Sequence, residues 1–359
     1  MSPRKEVIAG GTDGQVNIAR RAEESDPLPI PSDLATEAAI RPRSLADFIG
    51  QPEVKSHLDV VIRAAMGRGQ SVDHLLFAGP PGLGKTSLAQ IVANEMAAGF
   101  RVSSGPTLVR GGDLAAILNS LNEGDVLFID EIHRMSKAAG EVLYPAMEDF
   151  KLDILIGEGP TARSIRLDLP RFTLIGATTR TGMLTGPLRD RFGYVARLDY
   201  YAIPDLTRIV RRTATILDLE IDDAACGEIA RRSRGTPRLA NRLLRRVRDY
   251  VQVHAEGDIT EELARVALEF FGADELGLDK VDRAILEAMC VTYRGNPVGV
   301  STIAATVGED SETIEDVYEP FLIQAGLVAR TPRGRVPGPL AYDHLGIERP
   351  RLYDDFYSG

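Results

Sequence analysis

Gly79-Pro80-Pro81-Gly82-Leu83-Gly84-Lys85-Thr86 is the stretch from which the rest of the chain is read, because it fits the phosphate-loop pattern G-x-x-x-x-G-K-[ST] at every fixed position. A short apolar run, Leu75-Leu76-Phe77-Ala78, precedes it. A helical stretch, Thr86 to Met96, follows with Leu88, Ile91, Val92 and Met96 on one face. Glycines such as Gly82 and Gly84 let backbone N–H groups turn inward toward phosphate oxygens, and the helix N-terminus adds positive potential. Lys85 is expected to reach the β- and γ-phosphates of ATP, and the Thr86 hydroxyl to ligate Mg²⁺. A glycine-rich connector that matched by chance would lack both flanking elements.

Working outward, Val126-Leu127-Phe128-Ile129 reads as a second buried strand and ends in Asp130-Glu131. An acid at the C-terminal end of a parallel strand faces the ligand crevice. Asp130 is therefore expected to hold Mg²⁺ through water, and Glu131 to orient and deprotonate the attacking water. A third strand, Phe172 to Ala177, leads to Thr178-Thr179-Arg180. Thr179 is the favoured phosphate-sensing residue and Thr178 its rival; a β-favouring threonine pair without that role is the plainer reading. Leu188-Arg189-Asp190-Arg191-Phe192-Gly193 carries two arginines, either of which could stabilise charge on a transferred phosphoryl from a neighbouring subunit; a surface ion-pair helix is the alternative. Gly235-Thr236-Pro237-Arg238 opens a helix with Thr236 as N-cap and Pro237 first. A cation such as Arg238 gains nothing from the macrodipole in a first turn, so a nearby phosphate would account for it, against a solvated arginine as the alternative.

Continuous apolar strands alternating with helices predict an α/β fold, a parallel sheet covered on both faces. At 359 residues the chain should form two or three domains. Residues 1–35 are polar and aperiodic and are expected to be a disordered tail. Residues 36–201 are assigned to the large nucleotide-binding domain, with a hairpin inserted at about 152–168. Residues 202–272 form a small helical lid, and residues 275–348 a unit whose order of helices and strands suits a winged helix. Its would-be recognition helix carries Glu312, Glu315, Asp316 and Glu319, which phosphates would repel. Arg330, Arg333 and Arg335 sit instead on the predicted wing, where they could follow a duplex by its phosphates without reading bases; a solvated hairpin is the alternative.

The net charge of −10 argues against a general nucleic-acid coat protein but not against a small basic patch. Two separated cysteines and five unclustered histidines give no disulfide framework and no zinc pattern, which fits a reducing cytoplasm. No apolar run is long enough to span a membrane, and the N-terminus has no signal-peptide core.

Taken together, these strings resemble an AAA+ ATPase. In order, Asp130-Glu-Ile-His-Arg, Glu148-Asp-Phe leading to Ile156-Gly-Glu-Gly-Pro, Gly176-Ala-Thr-Thr-Arg, Leu188-Arg-Asp-Arg-Phe-Gly, Gly235-Thr-Pro-Arg and Arg330-Thr-Pro-Arg-Gly-Arg resemble the RuvB family over about residues 38–348. The resemblance implies an arginine finger at Arg191, with Arg189 beside it, and a lid arginine at Arg238. It implies nucleotide contacts at Ile40, Arg41, Gly82, Lys85, Thr86, Ser87, the segment Glu148-Asp149-Phe150 and Tyr201. Ile165 and Leu167 on the hairpin become candidate contacts for RuvA. It further implies a hexameric ring on duplex DNA, branch migration of Holliday junctions in recombination and repair, and RuvC in the resolving complex. The rival readings are an AAA+ protein remodeller or clamp-loader-like ATPase, and a winged-helix regulator that uses ATP as a switch. The first would be expected to show an aromatic pore loop, and none is evident; the intact Asp130-Glu131 pair speaks against the second.

Overall fold

The computed structural model describes residues 39–156, 163–255 and 257–349; the expected tail at 1–35 lies outside the described residues. The chain divides into an N-terminal unit, Met1–Arg41, and a body, Pro42–Gly359. The body begins with α1 (Pro52–Arg68), whose buried residues Val54, Leu58, Ile62 and Ala65 fall on one face. Gly69, left-handed at φ 62°, ends it by donating its N–H to Ala65 and Met66 carbonyls.

Then follow β1 (Leu75–Ala78), α2 (Lys85–Glu95), β2 (Phe100–Ser104), α3 (Gly111–Asn119), β3 (Val126–Asp130) and α4 (Lys137–Asp149). A hairpin of β4 (Lys151–Ile156) and β5 (Arg163–Asp168) precedes β6 (Thr173–Thr178), α5 (Gly186–Arg189) and β7 (Tyr194–Arg197). The main sheet has five strands in the order β2-β3-β6-β1-β7. All its pairings are parallel, so every strand delivers its C-terminal end to the same edge. The predicted α/β architecture is therefore present, with β2 and β7 as two edge strands that the sequence pattern did not reveal.

Two apolar layers cover the sheet. One packs α1 and α2 against Leu75, Phe77 and Phe128 and continues through Leu198 and Tyr201 into the helical lid. The other packs α3 and α4 against Leu76, Leu127 and Ile129. Full burial of a side chain such as Phe77 or Phe128 contributes about 1.5–3 kcal/mol. The lid comprises α6 (Ile203–Ile216), α7 (Asp223–Arg231), α8 (Pro237–His254) and α9 (Glu261–Phe270). Asp222 and Thr260 cap α7 and α9 through their side chains. Thr236 occupies the N-cap position of α8 but makes no cap bond; its hydroxyl donates to the Ser233 carbonyl at 3.2 Å.

The winged-helix unit has its own core around Leu286, Met289, Leu322 and Tyr342. It runs α10 (Lys280–Glu287), α11 (Val300–Val307), α12 (residues 311–324, with a π turn at Ile314–Tyr318), β8 (Val328–Thr331), β9 (Gly334–Pro337) and α13 (Pro339–Leu345). Before α11 the chain makes a single bridge, in which Val298 exchanges backbone hydrogen bonds with Arg335. Helix α13 was not anticipated from the sequence. Among the described residues no helix is long and apolar enough to cross a membrane.

Candidate nucleotide site and winged-helix tip

The phosphate loop leaves the C-terminal end of β1 between β6 and β7. Gly79 donates its N–H to the Thr178 carbonyl at 3.1 Å, and a Cβ placed there would lie 2.4 Å from the Leu198 carbonyl oxygen. Glycine is thus required by the neighbouring backbone as well as by φ. Lys85 is only 8% exposed and donates to the carbonyls of Gly79 and Pro80, each at 2.8 Å. Burial pushes its pKa down to about 8, against the upward pull of Asp130 and Glu131. An ammonium held at a desolvated spot beside two carboxylates and two carbonyls suits an anionic ligand, because a phosphate would supply the charge that water no longer screens. Thr86 and Ser87 follow, half-buried, in the first turn of α2.

Asp130 closes β3 and accepts the Glu131 N–H at 2.9 Å. Glu131 adopts a left-handed conformation, φ 46° and ψ 44°. For a residue with a Cβ this costs about 1–2 kcal/mol, a strain typical of residues that a site must aim. Its carboxylate meets Arg134 at 3.2 Å. β3 and β6 are neighbours, with Ile129 opposite Gly176, so the threonine pair does emerge beside Asp130. The two threonines differ. Thr178 is 1% exposed, hydrogen-bonds His133 Nδ1 at 3.0 Å and accepts the Arg180 N–H at 3.0 Å. Thr179 is half-buried and has no hydrogen-bond partner among the described residues. The free hydroxyl is the one able to meet a phosphate.

The lid reaches back to the loop. The Arg238 N–H donates to the Gly82 carbonyl at 3.3 Å, and a Cβ on Gly82 would approach the Arg238 Cβ at 3.2 Å. Tyr201 donates its hydroxyl to the Leu83 carbonyl at 3.2 Å and packs over Gly50. Ile40 and Arg41 belong to the N-terminal unit rather than to the body that carries these residues.

Glu148, Asp149, Phe150 and Arg191 lie elsewhere. The Arg191 guanidinium pairs with Glu148 at 2.9 Å, donates to the Pro187 carbonyl at 2.5 Å and sits 5.0 Å from the Tyr144 ring centroid. Phe150 packs edge-on to Phe172 at 5.7 Å and near His74 at 6.2 Å. His74 and Phe172 immediately precede β1 and β6, and Gly193, two residues after Arg191, donates to the His74 carbonyl at 2.9 Å. This group therefore gathers where the strands begin, at the opposite edge from the phosphate loop. Arg189 closes α5 next to it.

On the wing, Arg330 and Arg335 stand directly opposite each other in the β8–β9 ladder. Like charges in that position repel. The buried Glu319 of α12 answers both, meeting Arg330 at 2.6 Å and Arg335 at 2.9 Å, while Arg335 also reaches Glu315 at 2.5 Å. Burial pushes the Glu319 carboxyl up, but hydrogen bonds from both arginines outweigh it and its pKa ends lowered. The basic group named from the sequence is thus partly neutralised from within. Arg333 is exposed at the turn and has no ion-pair partner among the described residues. On the inserted hairpin, Leu167 is half-buried against the sheet core and pairs in register with Leu152; the side chain of Ile165 lies outside the described residues.

Thr86 and Asp130 offer hydroxyl and carboxylate oxygens, the donor chemistry of a hard divalent cation. Among the described residues no group of three or more His, Cys, Asp or Glu could hold a metal by itself, so phosphate oxygens and water would complete the ligand set. A phosphate loop floored by a parallel sheet and roofed by the first turn of a separate helical bundle is the arrangement of an AAA+ P-loop ATPase. Residues 40–198 match the Holliday junction DNA helicase RuvB P-loop domain, residues 201–274 the RuvB AAA lid domain and residues 275–346 the RuvB C-terminal winged helix domain. The chain belongs to the RuvB family. It is 49% identical to the structure of the Thermotoga maritima RuvB Holliday junction branch migration motor, over 87% of this chain and 100% of that one, with a TM-score of 0.80. A lysine-to-arginine mutant of the same Thermotoga maritima protein is 50% identical, over 87% and 99% of the two chains, with a TM-score of 0.81.

Proposed function

We propose that this chain is a ring-forming, ATP-hydrolysing DNA motor that drives branch migration of Holliday junctions, with RuvA as junction-binding partner and RuvC acting in the resolving complex. The observation that carries the ring is the placement of Arg191. It lies at the edge of the sheet opposite the phosphate loop, so one protomer cannot bring its own arginine to its own triphosphate. Head-to-tail packing would bring Arg191, with Glu148, Asp149 and Phe150, to the site of the next protomer and close into a ring, which the family resemblance makes a hexamer.

Within the composite site Lys85 holds the β- and γ-phosphates; Thr86 directly and Asp130 through water would hold Mg²⁺. The cation would neutralise charge on the phosphate oxygens. Glu131 takes the proton of the attacking water, Thr179 positions the γ-phosphate, and Arg191 stabilises the charge that develops on the transferred group. Arg238 senses the same phosphates from the lid, so that turnover alters the angle between lid and sheet domain. The arginine-tipped wing, Arg333 foremost with Arg330 and Arg335, engages duplex phosphates, and Ile165 and Leu167 dock RuvA.

The test mixes Lys85→Ala and Arg191→Ala subunits. Each is inactive alone; a mixture should regain ATP turnover and junction migration at interfaces that join an intact phosphate loop to an intact arginine. No recovery at any ratio would rule out the shared site.

A further inference from the structure

Two arginines reach the winged-helix unit from the rest of the body, and they are not alike. Arg234 of the lid lies four residues before Arg238. It meets Asp282 at 2.5 Å and Asp279 at 3.2 Å, donates to the Gly277 carbonyl at 2.6 Å and lies 5.6 Å from the Phe321 ring centroid. Its side chain is 13% exposed and that of Asp282 is 0% exposed. Arg180 of the sheet domain directly follows Thr179. It meets Asp316 of α12 through Nε at 2.7 Å and through Nη2, with Glu315 at 3.8 Å, and both Arg180 and Asp316 are about one-third exposed, at 29% and 32%.

We infer that the Arg180–Asp316 pair is a releasable latch joining the phosphate-facing end of β6 to α12 of the winged-helix unit. A buried, several-fold-bonded clamp such as Arg234 is costly to open, whereas a half-exposed pair can exchange its partner for water at little cost. The winged helix must then travel with the lid, and any change in the lid-to-sheet angle falls on Arg180. The pair is wired at both ends. Arg180 donates its backbone N–H to Thr178, which is hydrogen-bonded to His133 two residues beyond Glu131, so Thr179 sits between two fixed neighbours. Asp316 adjoins Glu315, the residue that holds Arg335 of the wing. The same contacts explain why a winged-helix unit carries an acidic helix where others read DNA: its carboxylates are counter-ions for Arg180, Arg330 and Arg335, and the helix faces the motor instead of the duplex.

The latch matters only in the DNA motor proposed above, and wild-type protein run alongside separates the two ideas. Asp316→Asn removes the charge without touching the nucleotide site or the wing arginines. In the full chain, basal ATP turnover should stay within about twofold, while stimulation by duplex DNA and the rate of junction migration fall at least about fivefold. The exchange Arg180→Asp with Asp316→Arg should recover at least half of the loss. Wild-type protein that shows no DNA-stimulated turnover sinks the motor reading itself. Wild-type behaviour in Asp316→Asn, or an exchanged pair no better than the single variant, overturns the latch alone.

Discussion

The two edges of the parallel sheet hold two differently organised groups, which the proposed function joins into one chemistry. At the C-terminal edge, Lys85, Asp130, Glu131 and Thr179 converge on strand ends set by a shared register, and the key groups are buried or hydrogen-bonded. At the N-terminal edge Arg191 is restrained by Glu148, the Pro187 carbonyl and the Tyr144 ring, groups with no catalytic chemistry toward phosphate. One edge is organised to receive a ligand; the other holds a cation ready for someone else's. On the function proposed above, the difference makes the interface between protomers, rather than the single chain, the catalytic unit.

The comparison can be broken most sharply at the first edge. Lys85→Ala should abolish detectable nucleotide binding, read by fluorescent-nucleotide titration; ordinary affinity would remove the phosphate-loop assignment. Glu131→Gln should bind ATP normally and slow hydrolysis by about 10³-fold, trapping the bound state. At the second edge, Arg191→Ala should leave binding near wild type and cut turnover by about 10²–10³-fold. A binding defect as large as that of Lys85→Ala would mean the two edges are not separate. Away from both, Arg330→Ala with Arg333→Ala should weaken duplex affinity by about tenfold, lower the salt slope by about one to two, and leave sequence preference unchanged. Arg335→Ala is the poorer probe, because it strips a partner from Glu315 as well as from buried Glu319, whereas Arg330 leaves only Glu319 short of one partner.

The smallest effect is one of pH. Lys85 has a pKa of about 8 in the ligand-free protein, lowered by burial. A bound phosphate raises it, so binding takes up a proton above pH 8 and ATP affinity should fall as pH rises, by up to about tenfold per unit. The same lowering has a stability consequence. Between about 8 and the ordinary lysine value the unfolded chain binds more protons than the folded one, so Lys85 destabilises the fold least at the top of that window. Calorimetry across pH 7 to 10 checks the proton uptake, and affinity independent of pH would detach Lys85 from the phosphates.

Much of this was legible before any coordinates. The buried strands β1, β3 and β6 announce themselves as continuous apolar runs because both their faces are covered. The edge strands β2 and β7 do not: Phe100–Ser104 and Tyr194–Arg197 are largely half-exposed or exposed, so their composition looks like loop. Thr179 could be preferred over Thr178 from sequence, but the reason for preferring it, that Thr178 is occupied by His133, needs residues 45 positions apart to be neighbours. Arg180 carried no signal of its own. The acidity of the would-be recognition helix was read only as repelling phosphates.

Local strings determined the phosphate loop, the acidic strand end and the lid arginine, because backbone turn, helix start and ligand chemistry are set within a few consecutive residues. Which arginines remain free, which edge Arg191 occupies and what the acids of α12 hold were decided only by the tertiary fold. Ion pairs and burial depend on groups far apart in the chain, and no spacing in a linear sequence encodes that distance.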